Sequence, residues 1–533
     1  MRRLALLAFI AFFAVSGCAH FTNSSLCSTS GCSYQPTGGY RFNPEKIPDR
    51  HTLVVLTISG GGIRASALGY GTLLALKKLP GLEANSSLLD DVDIVSSVSG
   101  GSVTAAWFAL HGKDGVVDLA NSEHQENELA DLLIHGGTAS LAWKGLNPVT
   151  LARYAATDYQ RSDALADFFD DRLFHRARYA DVAQRYVQYS NEPFVILNAT
   201  DLGHETFFPF TQGRFDLICS DLSSYRVADA VAASAGFPLV FSPVGIRNFS
   251  GDCAGHQASG WPPKWVERYP DERSNDDRCV SRPLRAGIDG YLSNQLFYLR
   301  MAREARDYVS ANQQDSDLHL LDGGLVDNLG IQSTISLEDN RLDDTPGLYQ
   351  RFAYRGTPTE QFCRHSPRYG KIDTILYIVV NARSRTPGGI DNTVAPPDLP
   401  STLFRIIDTP IDNTILFTQN YLTAELGDLA AATAAKDAPQ GYKLSKEIVT
   451  IDFEMIPDKS CRDAYWSLGT SWGLQEQAIR RLVRLPREIL FHSPNLQGFY
   501  KTLGDDKLDQ LNAILNGPEF GGNFTSCSGV TSG

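Results

Sequence analysis

The sequence is short of several features, and each absence excludes a function. It has no basic stripe: 48 Lys and Arg face 61 Asp and Glu, a formal net charge of −13. Nothing in that balance would steer the chain to nucleic acid. No C-x-x-C pair occurs among the nine cysteines and no histidine sits at ligand spacing from them, which disfavours a zinc site. The glycine run Gly60-Gly61-Gly62 is not followed by the Lys-Ser or Lys-Thr of a Walker loop. It also lacks G-x-G-x-x-G spacing and the acidic residue that closes a dinucleotide-binding unit. There is no EF-hand calcium loop, no internal repeat, and no apolar run long enough to span a bilayer. What is present is a globular composition over 533 residues, 43% apolar and 20% charged. Such a chain can bury a large core and suits one large α/β domain with insertions.

The first twenty residues stand apart. Arg2 and Arg3 precede an apolar run over 4–15 that reads as the core of a secretory signal. It ends in Val15-Ser16-Gly17-Cys18, which resembles the bacterial lipoprotein pattern. That resemblance implies a signal peptide over 1–17 and lipidation of Cys18. It implies an exported lipoprotein of the cell envelope, with Ala19 after the cysteine resembling an outer-membrane address. Several acyl chains together give stable anchoring. Export leaves eight cysteines, an even number in an oxidising compartment, and so predicts disulfides. Their connectivity stays open, with Cys27 and Cys32 close enough for a small loop. Residues 18–48, rich in Ser, Thr, Asn, Gly and Pro, read as a lipidated tether or a loosely packed arm.

From 51 onward the pattern is βα. A β-branched run over 53–58 stops in glycines and enters a helix over 65–78. A strand over 92–95, a tight turn over 96–101 and a helix over 103–111 repeat the unit. Further strands are expected at 195–198, 318–321, 375–380 and 448–453. Helices are expected at 227–235, 402–437, 474–483 and 505–515. Residues 249–315 read as a polar insertion. Residues 129–160 mix apolar and aromatic side chains, among them Trp143 and Leu146, and are a candidate membrane-contacting cover.

Three elements carry chemistry. Ser99 lies in Ser97-Val98-Ser99-Gly100-Gly101 between strand and helix, the context of a nucleophile elbow. Its flanking positions must be small to clear the neighbouring strand and helix. Gly60-Gly61-Gly62-Ile63-Arg64 ends a strand and can present several N–H groups to one oxyanion. Asp322-Gly323-Gly324 puts a carboxylate at another strand end, with no side chains beside it.

Together, in that order, these elements resemble the patatin-like phospholipases and, more distantly, the catalytic domain of cytosolic phospholipase A. The resemblance covers residues 50–385 and extends to Asn198-Ala199-Thr200-Asp201, Ala233-Ser234-Ala235 with Pro238, and Asn328. Ser97, where glycine is usual, and the insertion depart from it. It implies a three-layer α/β/α fold with a central, mostly parallel sheet and a catalytic domain over 49–385; residues 386–533 read as a helical C-terminal extension packed on that domain. It implies a Ser–Asp dyad of Ser99 and Asp322 acting through an acyl-enzyme, with Gly60, Gly61 and Gly62 as oxyanion hole. The expected activity is phospholipase A or lysophospholipase-type hydrolysis of lipid esters, with no metal and no cofactor. Lipid is then the substrate, the membrane is reached through Cys18, and no nucleic acid is involved. Arg64 is expected to meet a head group or to serve structure. Two rivals remain: an α/β-hydrolase triad completed by His365 or His492, and a non-catalytic envelope lipoprotein on the same scaffold.

Overall fold

The structure is a computed structural model. Outside its described residues lie 1–18, 21–22, 44–45, 47–51, 119–126, 136–137, 264–265, 267–299, 302, 311–316, 337–373, 385–398, 434–444, 470–472, 518–519 and 521–533. Cys18, His365 and most of the 249–315 insertion therefore fall outside it. Among the described residues no helix is long and apolar enough to cross a membrane.

A nine-stranded sheet forms the centre. Its strands are β1 (Ala19–His20), β2 (Thr52–Ile58), β3 (Ile94–Val98), β4 (Phe194–Asp201), β5 (Thr206–Pro209), β6 (Val244–Arg247), β7 (Asp317–Asp322), β8 (Thr374–Asn381) and β9 (Ser445–Asp452). The order across the sheet is β1-β6-β7-β4-β3-β2-β8-β9, with β5 paired to β4. Strands β4, β3, β2, β8 and β9 run parallel, whereas β7 is antiparallel to both of its neighbours. Strands β2, β3, β4 and β8 are buried along their whole length. This is why they read as continuous apolar runs: helices cover both faces of a parallel sheet. The expected three-layer α/β/α architecture is present.

The helices used below are α1 (Gly62–Leu76), α2 (Gly100–Gly115), α3 (Thr138–Leu146), α4 (Pro148–Ala156), α5 (Arg161–Phe169), α6 (Val227–Ser234), α7 (Leu399–Thr433) and α8 (Glu476–Phe491). Both βα turns are tighter than expected. Helices α1 and α2 start at Gly62 and Gly100, directly after the strand-end turns, and β3 runs on to Val98.

Of the two readings of 18–48, the described residues fit a packed arm rather than a free tether. Strand β1 pairs in parallel with β6 at the sheet edge, and Ser24–Ser25 pair with Ser220–Asp221. Tyr40 and Phe42 are buried in the main core, and the Tyr40 hydroxyl bridges both the carbonyl and the N–H of Val195. A cross-strand disulfide joins Cys27 to Cys32, and a second joins Cys219 to Cys253. The Cys27 sulfur lies 3.6 Å from that of Cys253, so the arm is packed onto the body. The physical reason is that short polar residues can pair as edge strands, and two aromatics supply the burial that composition conceals.

The C-terminal part packs on the rest of the chain and adds a strand to its sheet. Strand β9 pairs with β8 over eight residues, and α8 packs on α1.

Candidate active site

Strand β3 delivers Ser99 at its C-terminal end. The residue has φ 53° and ψ −124°, a strained backbone for a non-glycine residue. Such strain costs on the order of 1–3 kcal/mol and persists only where the surroundings enforce it. Here they do. The Ser99 N–H donates to Ser234 Oγ at 2.9 Å, and Ser234 Oγ donates to the Asn198 carbonyl on β4 at 2.6 Å. Ser102 Oγ completes the cluster, 2.9 Å from Ser234 Oγ.

Strand β7 delivers Asp322 beside it. Ser99 Oγ donates to Asp322 Oδ2 at 2.7 Å, and Asp322 Oδ1 accepts the Gly324 N–H at 2.8 Å. Burial pushes the Asp322 carboxyl up to about 6, against the opposing pull of the Gly324 N–H and the Ser99 hydroxyl. Both side chains are buried, Ser99 at 8% and Asp322 at 4% exposure. The direct hydrogen bond leaves no place for an imidazole between them, as a triad requires. His492 caps α8 at the surface, and His365 lies outside the described residues.

Ser234 ties the two strand ends together. Its carbonyl accepts the Gly323 N–H at 3.2 Å, and the Gly236 carbonyl accepts the Asp322 N–H at 3.1 Å. Thus the end of α6 holds Ser99 and Asp322 in register. The sequence marked Ala233-Ser234-Ala235 but gave Ser234 no role. Its signal was a lone hydroxyl in a helix of small residues.

The glycine loop lies behind Ser99. Gly61 and Gly62 have φ 138° and 58°, and among the described residues their N–H groups have no acceptor. Gly60 differs from expectation, because its N–H already donates to the Asn328 carbonyl at 3.1 Å. The three-donor hole anticipated from sequence thus reduces to two free donors, and Gly60 becomes the tie between this loop and the Asp-Gly-Gly turn. A Cβ on Gly60 would sit 2.4 Å from Asn328 Oδ1 and 3.3 Å from Ser99 Cβ. Gly60→Ala removes no oxyanion donor; its Cβ is expected to displace the Asn328 side chain and crowd Ser99, lowering ester turnover by about 10-fold or more while the fold is kept. Initial-rate kinetics with circular dichroism on the same sample measure both.

Arg64 is fully buried. Its Nε donates to the Ala382 carbonyl at 2.7 Å, and its Nη1 donates to the Leu468 carbonyl. Desolvation pulls its pKa down to about 10, with Asp408 on α7 opposing. Of the two roles expected for it, this environment favours the structural one: it pins β8 and the 468 turn to the start of α1. The only three-residue clusters of metal-ligating types among the described residues are built on the disulfide cysteines, one of them with His256.

These strand ends define a class: an α/β/α protein with a strained serine bonded directly to a buried aspartate, backed by a glycine loop. The chain belongs to the patatin-like phospholipase family, whose family model matches residues 56–335. No curated protein matches the chain. Among solved structures it is similar to human GIVD cytosolic phospholipase A2, at 13% identity and a TM-score of 0.37, over 89% of this chain and 63% of that one. The same human enzyme in complex with methyl γ-linolenyl fluorophosphonate gives 13% identity and a TM-score of 0.34, over 89% and 60%. The chain thus spans less than two thirds of the solved chains it resembles.

Proposed function

We propose that this chain is a lipid acyl hydrolase that cleaves carboxylic esters through Ser99 and Asp322. The single observation that carries the reading is the 2.7 Å hydrogen bond from a strained serine to a buried carboxylate. A non-catalytic scaffold gains nothing from burying a carboxylate beside a strained serine, and both features cost stability.

In this reading Asp322 Oδ2 takes the Ser99 proton as Oγ attacks the ester carbonyl. The oxyanion is held by the Gly61 and Gly62 N–H groups, with the N-terminus of α2 aimed at the same point. The Asp322 proton passes to the leaving alcohol, giving acyl-Ser99. Asp322 then deprotonates a water, which releases the fatty acid and restores the serine. A carboxyl near 6 is a better base than an ordinary aspartate, and burial supplies that gain. The substrate class is phospholipid or lysophospholipid, as for a phospholipase A.

The N-terminal reading joins this one: residues 1–17 are a signal peptide, and Cys18 carries the acyl chains of an envelope lipoprotein of the outer membrane. The test of function is incubation of purified protein with a panel of phospholipid, lysophospholipid and neutral-lipid esters. Fatty acid release by the wild type and none by Ser99→Ala supports the proposal. No release from any ester removes it.

A further inference from the structure

We propose that Leu239 is a specificity-determining residue of this hydrolase, an apolar contact for the acyl chain of the ester. The proposal rests on the reading that Ser99 and Asp322 cleave lipid esters, and adds which part of the substrate the enzyme selects by.

The first observation is backbone strain. Leu239 has φ 72°, in the left-handed region. A bulky side chain crowds the backbone there, whereas glycine adopts the region freely and asparagine with little strain. Strain of this kind persists only where the surroundings enforce it, and it gathers at active sites and ligand clamps. Burial does not account for the leucine. It is half-buried, in the apolar run Phe237-Pro238-Leu239-Val240-Phe241, where Phe241 packs on the main core and Val240 is exposed.

The second observation is place. The run starts beside the catalytic carboxylate, because the Gly236 carbonyl accepts the Asp322 N–H at 3.1 Å. It also ends there. Val244 pairs with Leu320 in antiparallel register, and the same register carried on brings Ser242 level with Asp322. Between these ends the chain closes a tight turn, with the Phe241 N–H donating to the Phe237 carbonyl at 3.0 Å. Leu239 is the middle residue of that turn, no more than about 11 Å of extended chain from either end.

The third observation is that the turn is fixed from outside. Arg161 Nη1, at the start of α5, donates to the Leu239 carbonyl at 3.2 Å. The Ser162 N–H donates to Ser242 Oγ at 3.3 Å, and the Ser162 hydroxyl donates to the Ser242 carbonyl. Helix α5 is braced in turn by α6 and by α3, and α3 packs with α4. Part of the 129–160 segment thus stands behind the anchor of this turn; the Trp143 side chain lies outside the described residues. The left-handed leucine is therefore imposed by bonds from a rigid neighbour.

A leucine held in this way beside Asp322 offers apolar surface with little further ordering cost. An alkyl chain gains from covering it, and a polar head group does not. Each methylene that reaches the side chain adds to binding, so the contact favours long acyl chains over short ones. Binding of this kind is shared by ground state and transition state, and so acts mainly through KM.

The test uses the full-length protein with p-nitrophenyl butyrate and p-nitrophenyl dodecanoate, which share a leaving group and differ only in the acyl chain. Both are assayed below the concentration at which the dodecanoate forms micelles. The variants are Leu239→Gly, Leu239→Asn and Leu239→Met, each checked for fold by circular dichroism. Glycine and asparagine both suit the left-handed backbone, one without a side chain and one with a polar side chain, so the turn is kept while the contact is removed. Both variants are expected to lose at least about fivefold more in kcat/KM on the dodecanoate than on the butyrate, mostly as a higher KM. Leu239→Met, which returns an apolar chain to the position, is expected to recover most of that preference. A dodecanoate-to-butyrate ratio that is unchanged in the glycine and asparagine variants, whether or not both rates fall together, overturns the contact and leaves the hydrolase reading standing. A wild type inactive on both esters and on the lipid panel overturns both, so the two failures are told apart by the wild type alone.

Discussion

Ser99→Ala is expected to lower ester turnover by about four to six orders of magnitude, and Asp322→Asn by nearly as much, with the double variant no worse than either. The expectation follows from the 2.7 Å bond between the two side chains. Neither acts alone: the serine is not a nucleophile without its acceptor, and the carboxylate has no other proton to take. Groups that act as one unit lose their effect once, so the single losses do not add. The folds should survive, because the Ser234 cluster grips the backbone of residue 99 through its N–H and the Gly324 N–H still finds an acceptor in asparagine. If His492→Ala proved equally inactive while folded, the direct dyad would be wrong.

The second large effect is a trade of stability for activity at Asp322, read through pH. Burial raises its folded pKa from 3.8 to about 6. The base must be ionised, so kcat/KM should rise with pH up to about 6 and level off above. For stability the sign is opposite. The folded state holds this proton more tightly than the unfolded chain, so the stabilisation is complete below about 3.8 and is lost as pH rises through about 6. A two-unit shift is worth about 3 kcal/mol. Asp322→Asn, which has no charge to bury, should therefore melt at least about 3 °C higher than wild type at pH 7.5, and the gain should vanish near pH 3.5. Asp163, Asp327, Asp452 and Asp229 are raised in the same direction while Asp201 is lowered, so the pH dependence of the wild type alone mixes several groups. Only the difference between variant and wild type isolates Asp322. Calorimetry across that range measures it, and a variant less stable than wild type at pH 7.5 would contradict the account.

The active-site pieces were legible because each is locally encoded. Strand, glycine run, serine turn and Asp-Gly-Gly all show in a few consecutive residues, and a buried parallel strand leaves an unbroken apolar run. What brings them together was not encoded locally. The Gly60 N–H is claimed by Asn328, far along the chain, and nothing near Gly60 announces it. Arg64 reads equally well as a head-group ligand or a strut, until Ala382 and Leu468 supply the carbonyls that bury it. The arm before residue 48 was only half legible for a related reason. Its composition is that of a linker, but edge pairing needs only backbone groups, and Tyr40 and Phe42 anchor it in the core. The strand at 445–452 was recognised as a strand, but its place beside β8 depends on pairing that no periodicity reveals.

The central claim, that Ser99 is the nucleophile held by Asp322, is tested most directly by mass spectrometry of protein treated with a long-chain fluorophosphonate. The account predicts one adduct on the peptide containing Ser99, formed at least about 100-fold more slowly in Asp322→Asn and absent in Ser99→Ala. An adduct on another residue, or labelling at Ser99 that is indifferent to Asp322→Asn, would contradict it.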